Sequence, residues 1–192
     1  MKPTYDGFEA KKNSGFATLP PAGAYVAEIM GVRTEKAYDN IHDQLVLMLD
    51  IVEGEYAGRY MEIFNDQKSR FGDSVKFKGV FKMVTPIEGD EAWRKSQFEG
   101  NLWCVEQSNP GYHWDWDENK LKGKKVGISV RESSYNGNDG KRHDTTEIGR
   151  FETVQDVRDG KVKLMKPRAP KDNGNSEESD NGYTNVKVEV PF

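Results

Sequence analysis

The chain has 192 residues, of which 35% are apolar and 31% charged, and a formal net charge of −4. That balance fits one domain of ordinary size with unburied appendages, and no run approaches the ~20 apolar residues of a helical membrane span. The single cysteine, Cys104, excludes an internal disulfide and a cysteine-rich zinc cluster, and it reads as a buried, inert thiol.

The N-terminus lacks an apolar signal-peptide core, so a cytoplasmic protein is expected. The acidity is unevenly spread. From Ala169 to Phe192 only Lys171 and Lys187 face Asp172, Glu177, Glu178, Asp180 and Glu189. The body is therefore close to neutral and has room for a basic groove.

Met1 to Pro21 mixes Gly, Lys, Asn and Pro without a period and reads as an arm, closed by the rigid lead-in Pro20-Pro21-Ala22-Gly23. Ala24–Thr34 alternates and predicts a strand. Gln44–Val52 predicts a second strand, buried on both faces because Leu45, Leu47, Leu49 and Ile51 alternate with Val46, Met48 and Val52. Asp50 is its one polar interior residue. After the turn Glu53-Gly54-Glu55, Tyr56–Phe64 reads as a third strand, which completes a meander. Val75–Val84 then reads as a short helix, with Phe77, Val80, Phe81 and Val84 on one face and Pro86 as its stop.

Asp90 is a fair cap for a second helix reaching Trp103 or Glu106, bent or broken at Gly100. Trp93 and Trp103 read as core, and Trp114 and Trp116 as packing beneath the sheet. Ser108-Asn109-Pro110-Gly111 is a turn, and Tyr112–Asp117 an aromatic, acidic loop. Leu121–Glu132 reads as a strand, Tyr135–Gly140 as a hairpin tip, Thr145–Val154 as the return strand and Asp156–Met165 as a short coda. Beyond Lys166 the chain has almost no apolar content until Val186.

The domain plan is an arm over residues 1–22, a folded domain over 23–166 and a flexible acidic tail over 167–192. Three strands, a helical connection and two strands is the element order of a five-stranded OB-fold Greek-key barrel; a distorted β-sandwich is the competing architecture.

No catalytic pattern stands out. His42, His113 and His143 are scattered, and no HExxH, Cys-x-x-Cys, phosphate-cradling or nucleophile-elbow motif occurs. Asp115 and Asp117 read as a solvated acidic pair. Neither a cofactor nor a metal is expected, and binding is a better reading than catalysis. Rings are interleaved with cations at the places where an OB-fold binds. Arg33, Lys36, Tyr38 and His42 lie around the first loop, Arg59, Tyr60 and Phe64 on the expected third strand, and Arg131, Tyr135, Lys141, Arg142 and His143 on the last hairpin. Single-stranded nucleic acid needs this mixture, because bases stack on aromatic faces while Lys and Arg follow the phosphates. Tyr60 and Phe64 serve equally well as core filling.

The C-terminus, an acidic Gly/Asn/Ser-rich segment ending in Val190-Pro191-Phe192, resembles the tails of bacterial and phage single-stranded DNA-binding proteins. Leu19–Tyr25, Ile51–Arg59 and Leu121–Gly127 are similar to blocks of the phage-encoded members. The resemblance implies an OB-fold protein that coats single-stranded DNA in phage or mobile-element replication or recombination, within the host cytoplasm. It further implies that Phe192, stiffened by Pro191, anchors replication or recombination partners. Lys187 departs from the pattern by interrupting the acids, and Val186, Val188 and Val190 alternate like an edge strand, so a tail folded onto the body is the alternative. A homo-oligomer is compatible with the resemblance, but no subunit number follows from it. The rival readings are a protein-interaction module or inhibitor of a host nucleic-acid enzyme, presenting Tyr112–Asp117, and a divalent-metal nuclease, for which the chain supplies no clustered carboxylates.

Overall fold

In the computed structural model, which describes residues 17–137 and 140–169, everything is hung on one long strand, β1 (Gly23–Lys36). Its first half pairs antiparallel with β4 (Lys125–Asn136), from Gly23↔Val130 to Glu28↔Lys125. Its second half pairs with β2 (Asp43–Ile51), from Ala27↔Ile51 to Lys36↔Asp43. The register slips between Ile29 and Gly31, so Met30 is an extra residue. Such a bulge sharpens the local twist and lets one strand serve two differently oriented partners. β3 (Val80–Val84) pairs with β2, and β5 (Arg142–Glu152) pairs with β4. The result is an open, antiparallel five-stranded sheet of order β3-β2-β1-β4-β5. Its two edge strands meet through side chains, the Phe81 and Phe151 rings lying 4.5 Å apart.

The core lies on one side of this curled sheet. Ala27 and Ile29, then Leu45, Leu47, Leu49 and Ile51, then Val126, Ile128 and Val130 are all buried there. A helix between β3 and β4, α2 (Ala92–Ser108), covers this side with Phe98, Leu102 and Val105. Asn101 on the same face accepts a hydrogen bond from the Phe151 backbone N–H at 3.2 Å. β2 is buried on both faces as its sequence predicts, since Val46, opposite the core set, is only 2% exposed.

Two elements are the reverse of the sequence reading. The expected strand over Tyr56–Phe64 is the start of a helix, α1 (Arg59–Phe71), and the expected helix over Val75–Val84 ends in strand β3. The helix begins after Gly58, which sits at a φ of 74° and has no side chain with which to cap it. Its cap arrives from β2: buried Asp50 accepts from the backbone N–H of Tyr60 at 3.0 Å and of Met61 at 3.3 Å, as well as from Ile51. These are orphan donors of the first helical turn, satisfied from across the fold. Gly79, just before β3, fits because a Cβ there would meet the Leu49 carbonyl oxygen at 2.1 Å and the Tyr60 ring at 2.8 Å.

The tryptophans of α2 also depart from expectation. Trp93 and Trp103 are each 54% exposed, because Phe98, Asn101, Leu102 and Val105 take the inward face and leave both indoles on the other. Gly100 lies on that outer face with open space around it, and the helix runs through it unbroken. Trp116, at φ 67° and 66% exposed, stacks on Phe98, while Trp114 is half-buried.

After β5, Thr153 caps a short helix, α3 (Val154–Arg158), by accepting from the Asp156 N–H at 3.0 Å. The chain then returns along β4 beyond the point where β1 begins, and Arg168 N–H donates to the Glu132 carbonyl at 2.9 Å. The tail expected over 167–192, with Pro191 and Phe192, falls almost wholly outside the described residues, as does most of the arm.

Candidate nucleic-acid interface

The β4–β5 hairpin extends well past its partner β1, because pairing with β1 ends at Val130 while β4 continues to Asn136. On this free ribbon Tyr135 pairs with His143 and Asn136 with Arg142. The Tyr135 and His143 rings stack at 5.4 Å and 23°, and Tyr135 is 49% exposed. Arg142 contacts Asp144 at 3.3 Å, but both side chains are largely in solvent, where such a pair contributes little and yields readily to a competing anion. Lys141 is exposed beside them. Nearer the body, Arg131 is committed to Glu147 at 2.5 Å, and Arg168 reaches the same carboxylate at 3.5 Å.

The loop joining β1 to β2 leaves the other end of β1. Tyr38 stands at its tip, 87% exposed. Lys36 bonds Asp43 at 2.8 Å across the loop's base. His42 turns inward, with Nδ1 2.5 Å from Asp39 and Nε2 2.9 Å from Asp90. These carboxylates raise the imidazole's pKa, the Asp90 hydrogen bond most of all. In return the backbone N–H groups of His42 and Ile41, with the imidazole, hold the Asp39 carboxyl down to about 2. These two hydrogen bonds tie the β1–β2 loop to the lead-in of α2, and the imidazole is buried, out of a ligand's reach.

Between the two loops lies the outer face of β1, β2 and β3. Opposed residues of antiparallel strands share a face, which groups Arg33 with Val46 and Lys82, and Glu35 with Gln44. Glu35 is the hub. It accepts from Lys82 Nζ at 2.9 Å, Gln44 Nε2 at 2.8 Å and Arg33 at 3.1 Å. Burial pushes its carboxyl up, but Lys82 and Arg33 outweigh that and leave it below the usual range. Arg33 keeps a buried Nε without a hydrogen-bond partner. Arg33 and Lys82 share Glu35 at this end of the wall, while Glu28 and Asp50 lie opposite one another further along it. The Met48 side chain lies across Gly31, where a Cβ would meet its methyl at 2.5 Å.

The residues expected on the third strand are placed elsewhere. Tyr60 and Phe64 are 2% and 4% exposed and belong to the core, because α1 turns its Tyr60-Ile63-Phe64 stripe inward. Arg59 sits at the start of α1, over the Tyr56 ring at 5.4 Å and beside Glu62 at 3.2 Å. Lys82 on β3 is a cation of this face outside the set expected from sequence; its signal is the alternation Phe81-Lys82-Met83. In the Tyr112–Asp117 loop, Asp115 and Asp117 both face Lys120. Among the described residues no group of three or more His, Cys, Asp or Glu side chains could hold a metal ion, and no helix is long and apolar enough to cross a membrane. No protein-family model and no curated protein matches the chain.

Proposed function

We propose that this chain binds single-stranded DNA with little sequence preference, along the outer face of β1–β3 and between the β1–β2 loop and the β4–β5 hairpin. The observation that carries this reading is the projecting hairpin. It combines an exposed, stacked Tyr135–His143 pair with Lys141 and Arg142 on a ribbon that β1 leaves unpaired. A ring pair of this kind accepts any base by stacking, at about 1–3 kcal/mol per base, while adjacent cations follow the phosphates. Tyr38, Arg33 and Lys82 extend the same mixture across the sheet.

The sheet itself supports an OB-type reading. A strand order of β3-β2-β1-β4-β5, a helix before β4, a bulged β1 shared by two partners and the Phe81–Phe151 contact between the edges are what a partly open five-stranded barrel requires. The role we infer is coating exposed strands during phage or mobile-element replication or recombination. Residues 167–192, with Pro191 and Phe192, would tether partner proteins in the host cytoplasm, and the barrel would need neither catalysis nor a cofactor.

Anisotropy of a labelled single strand, with duplex as competitor and at two salt concentrations, tests the reading. Single strands should win, and binding should weaken with salt; equal preference or no binding overturns it. One observation favours a second reading, a protein-interaction module: Trp93, Trp103 and Trp116 are exposed around α2, where Asp115, Asp117 and Glu106 would repel phosphates.

A further inference from the structure

The connection between β2 and β3 holds a basic stretch that runs from the end of α1 into β3. Lys68, Arg70, Lys76, Lys78 and Lys82 fall within fifteen positions, 68–82, with only Asp73 in opposition. Arg70 and Lys82 are engaged, by Asp66 at 2.9 Å and Glu35 at 2.9 Å. The other three lie near one pair of rings in the chain, and one of them contacts a ring directly. Lys68 Nζ lies 5.9 Å from the Phe64 ring centre, and Phe64 meets Phe77 edge-on at 5.7 Å. Lys76 and Lys78 flank Phe77 in the chain, and because Phe77 points into the core its neighbours point out. Among the described residues neither has a carboxylate at ion-pair distance. Burial first, and the charge of Lys76 second, hold the Lys78 ammonium below the ordinary lysine value. Two adjacent cations without a counter-charge repel one another, and an anion that joins them relieves that cost. The patch's one acid, Asp73, is 3.5 Å from Lys68 with a side chain 93% exposed, so a phosphate can displace it. Phe71, the last residue of α1, is 66% exposed in the same stretch of chain.

We propose that Lys68, Lys76 and Lys78, with the exposed ring of Phe71, form a phosphate track on the α1–β3 connection that takes the backbone of a single strand as it runs off the sheet past β3. This rests on the single-strand reading above and adds to it a contact region that the two loops do not contain. The bound strand is therefore longer than the hairpin and the outer face alone would cover.

The test is the salt dependence of binding to an oligothymidine of about 30 nucleotides, long enough to cover several contact regions. The intact chain is compared with Lys68→Gln/Lys76→Gln/Lys78→Gln and with a charge-matched control, Lys95→Gln/Lys122→Gln/Lys163→Gln. Each phosphate contact on a single strand contributes about 0.7 to the slope of log K against log salt, so losing three should lower the slope by about 2. Raising salt fourfold, from about 50 to about 200 mM, should then weaken the intact chain roughly 16-fold more than the triple variant. The control should keep the slope of the intact chain. Binding by all three with one common slope, or an equal drop in both variants, overturns the track and leaves the single-strand reading standing. No binding by the intact chain overturns both.

Discussion

Asp50 is the single point at which β2, an apolar strand, dictates where the next element begins. The carboxylate is 6% exposed and accepts three backbone N–H bonds, two of them from the first turn of α1. Asp50→Ala removes the cap, worth about 0.5–2 kcal/mol, and leaves buried N–H groups unmatched at about 1–3 kcal/mol. We expect a net loss of about 2–4 kcal/mol, which for a domain of this size lowers Tm by roughly 5–15 °C. Asp50→Asn keeps one acceptor oxygen but turns an NH₂ toward a donor, and should lose about 1–2 kcal/mol. A pH signature separates a buried charge from mere packing. Burial raises the Asp50 pKa despite the three N–H bonds that pull it down. The unfolded chain therefore gives up this proton first, and the intact protein loses stability as pH rises from the ordinary aspartate value through the higher folded one. Asp50→Asn lacks that loss, so its deficit should be larger near about pH 4 than near about pH 7. Urea unfolding followed by far-UV circular dichroism reads all of this. An Asp50→Ala protein within about 0.5 kcal/mol of the intact one would refute a long-range cap.

The remaining expectations follow from particular contacts. His42 titrates with a raised folded pKa, so its clamp on Asp39 and Asp90 is fully present below the ordinary histidine value and is lost as pH rises through the folded one. Thermal melts between about pH 6 and 9 should show this decline, and His42→Gln should flatten it. Gly79→Ala drives a methyl into the Leu49 carbonyl and the Tyr60 ring and should lose about 2 kcal/mol or more in urea unfolding, whereas Gly100→Ala, in open space within α2, should gain up to about 1 kcal/mol. Tyr135→Ala should weaken single-strand affinity by about 5- to 150-fold with folding stability nearly unchanged, since the ring stacks on a ribbon outside the core.

Much of this architecture is legible in the residues. β1, β2 and the terminal hairpin announce themselves by alternation and by turn chemistry at Tyr135–Gly140. A helix is also expected where α2 lies, but Asp90 does not cap it: its carboxylate accepts from the Ile87 N–H and meets His42, and Glu91 precedes the helix without a side-chain cap. The segment between β2 and α2 misleads for a physical reason. Phe77, Val80, Phe81 and Val84 happen to fall at helical spacing, although Phe81 and Met83 are inward on a five-residue strand and Phe77 is inward just before it. A strand that short carries too few alternations to outweigh a chance helical match. Tyr60, Ile63 and Phe64 did carry a helical signal, but α1 has no local cap to mark its start, and Asp50 lies in a different element. The site is legible in the same uneven way. Tyr38, Tyr135, Lys141 and Arg142 could be placed because loops and tips expose what they carry, whereas Tyr60, Phe64 and His42 could not, since their burial depends on which element lies against them. Lys76 and Lys78 are obscured for the same reason, since they fall within the segment expected to be helical.

Backbone amide shift mapping during titration with oligothymidine locates bound single-stranded DNA most directly. Shifts concentrated on Tyr135–Thr145, on the outer-face residues Arg33, Val46 and Lys82, and on the loop around Tyr38 are what the proposed interface predicts. A titration that moved none of these, or moved only Trp93, Trp103 and the Tyr112–Asp117 loop, would contradict it.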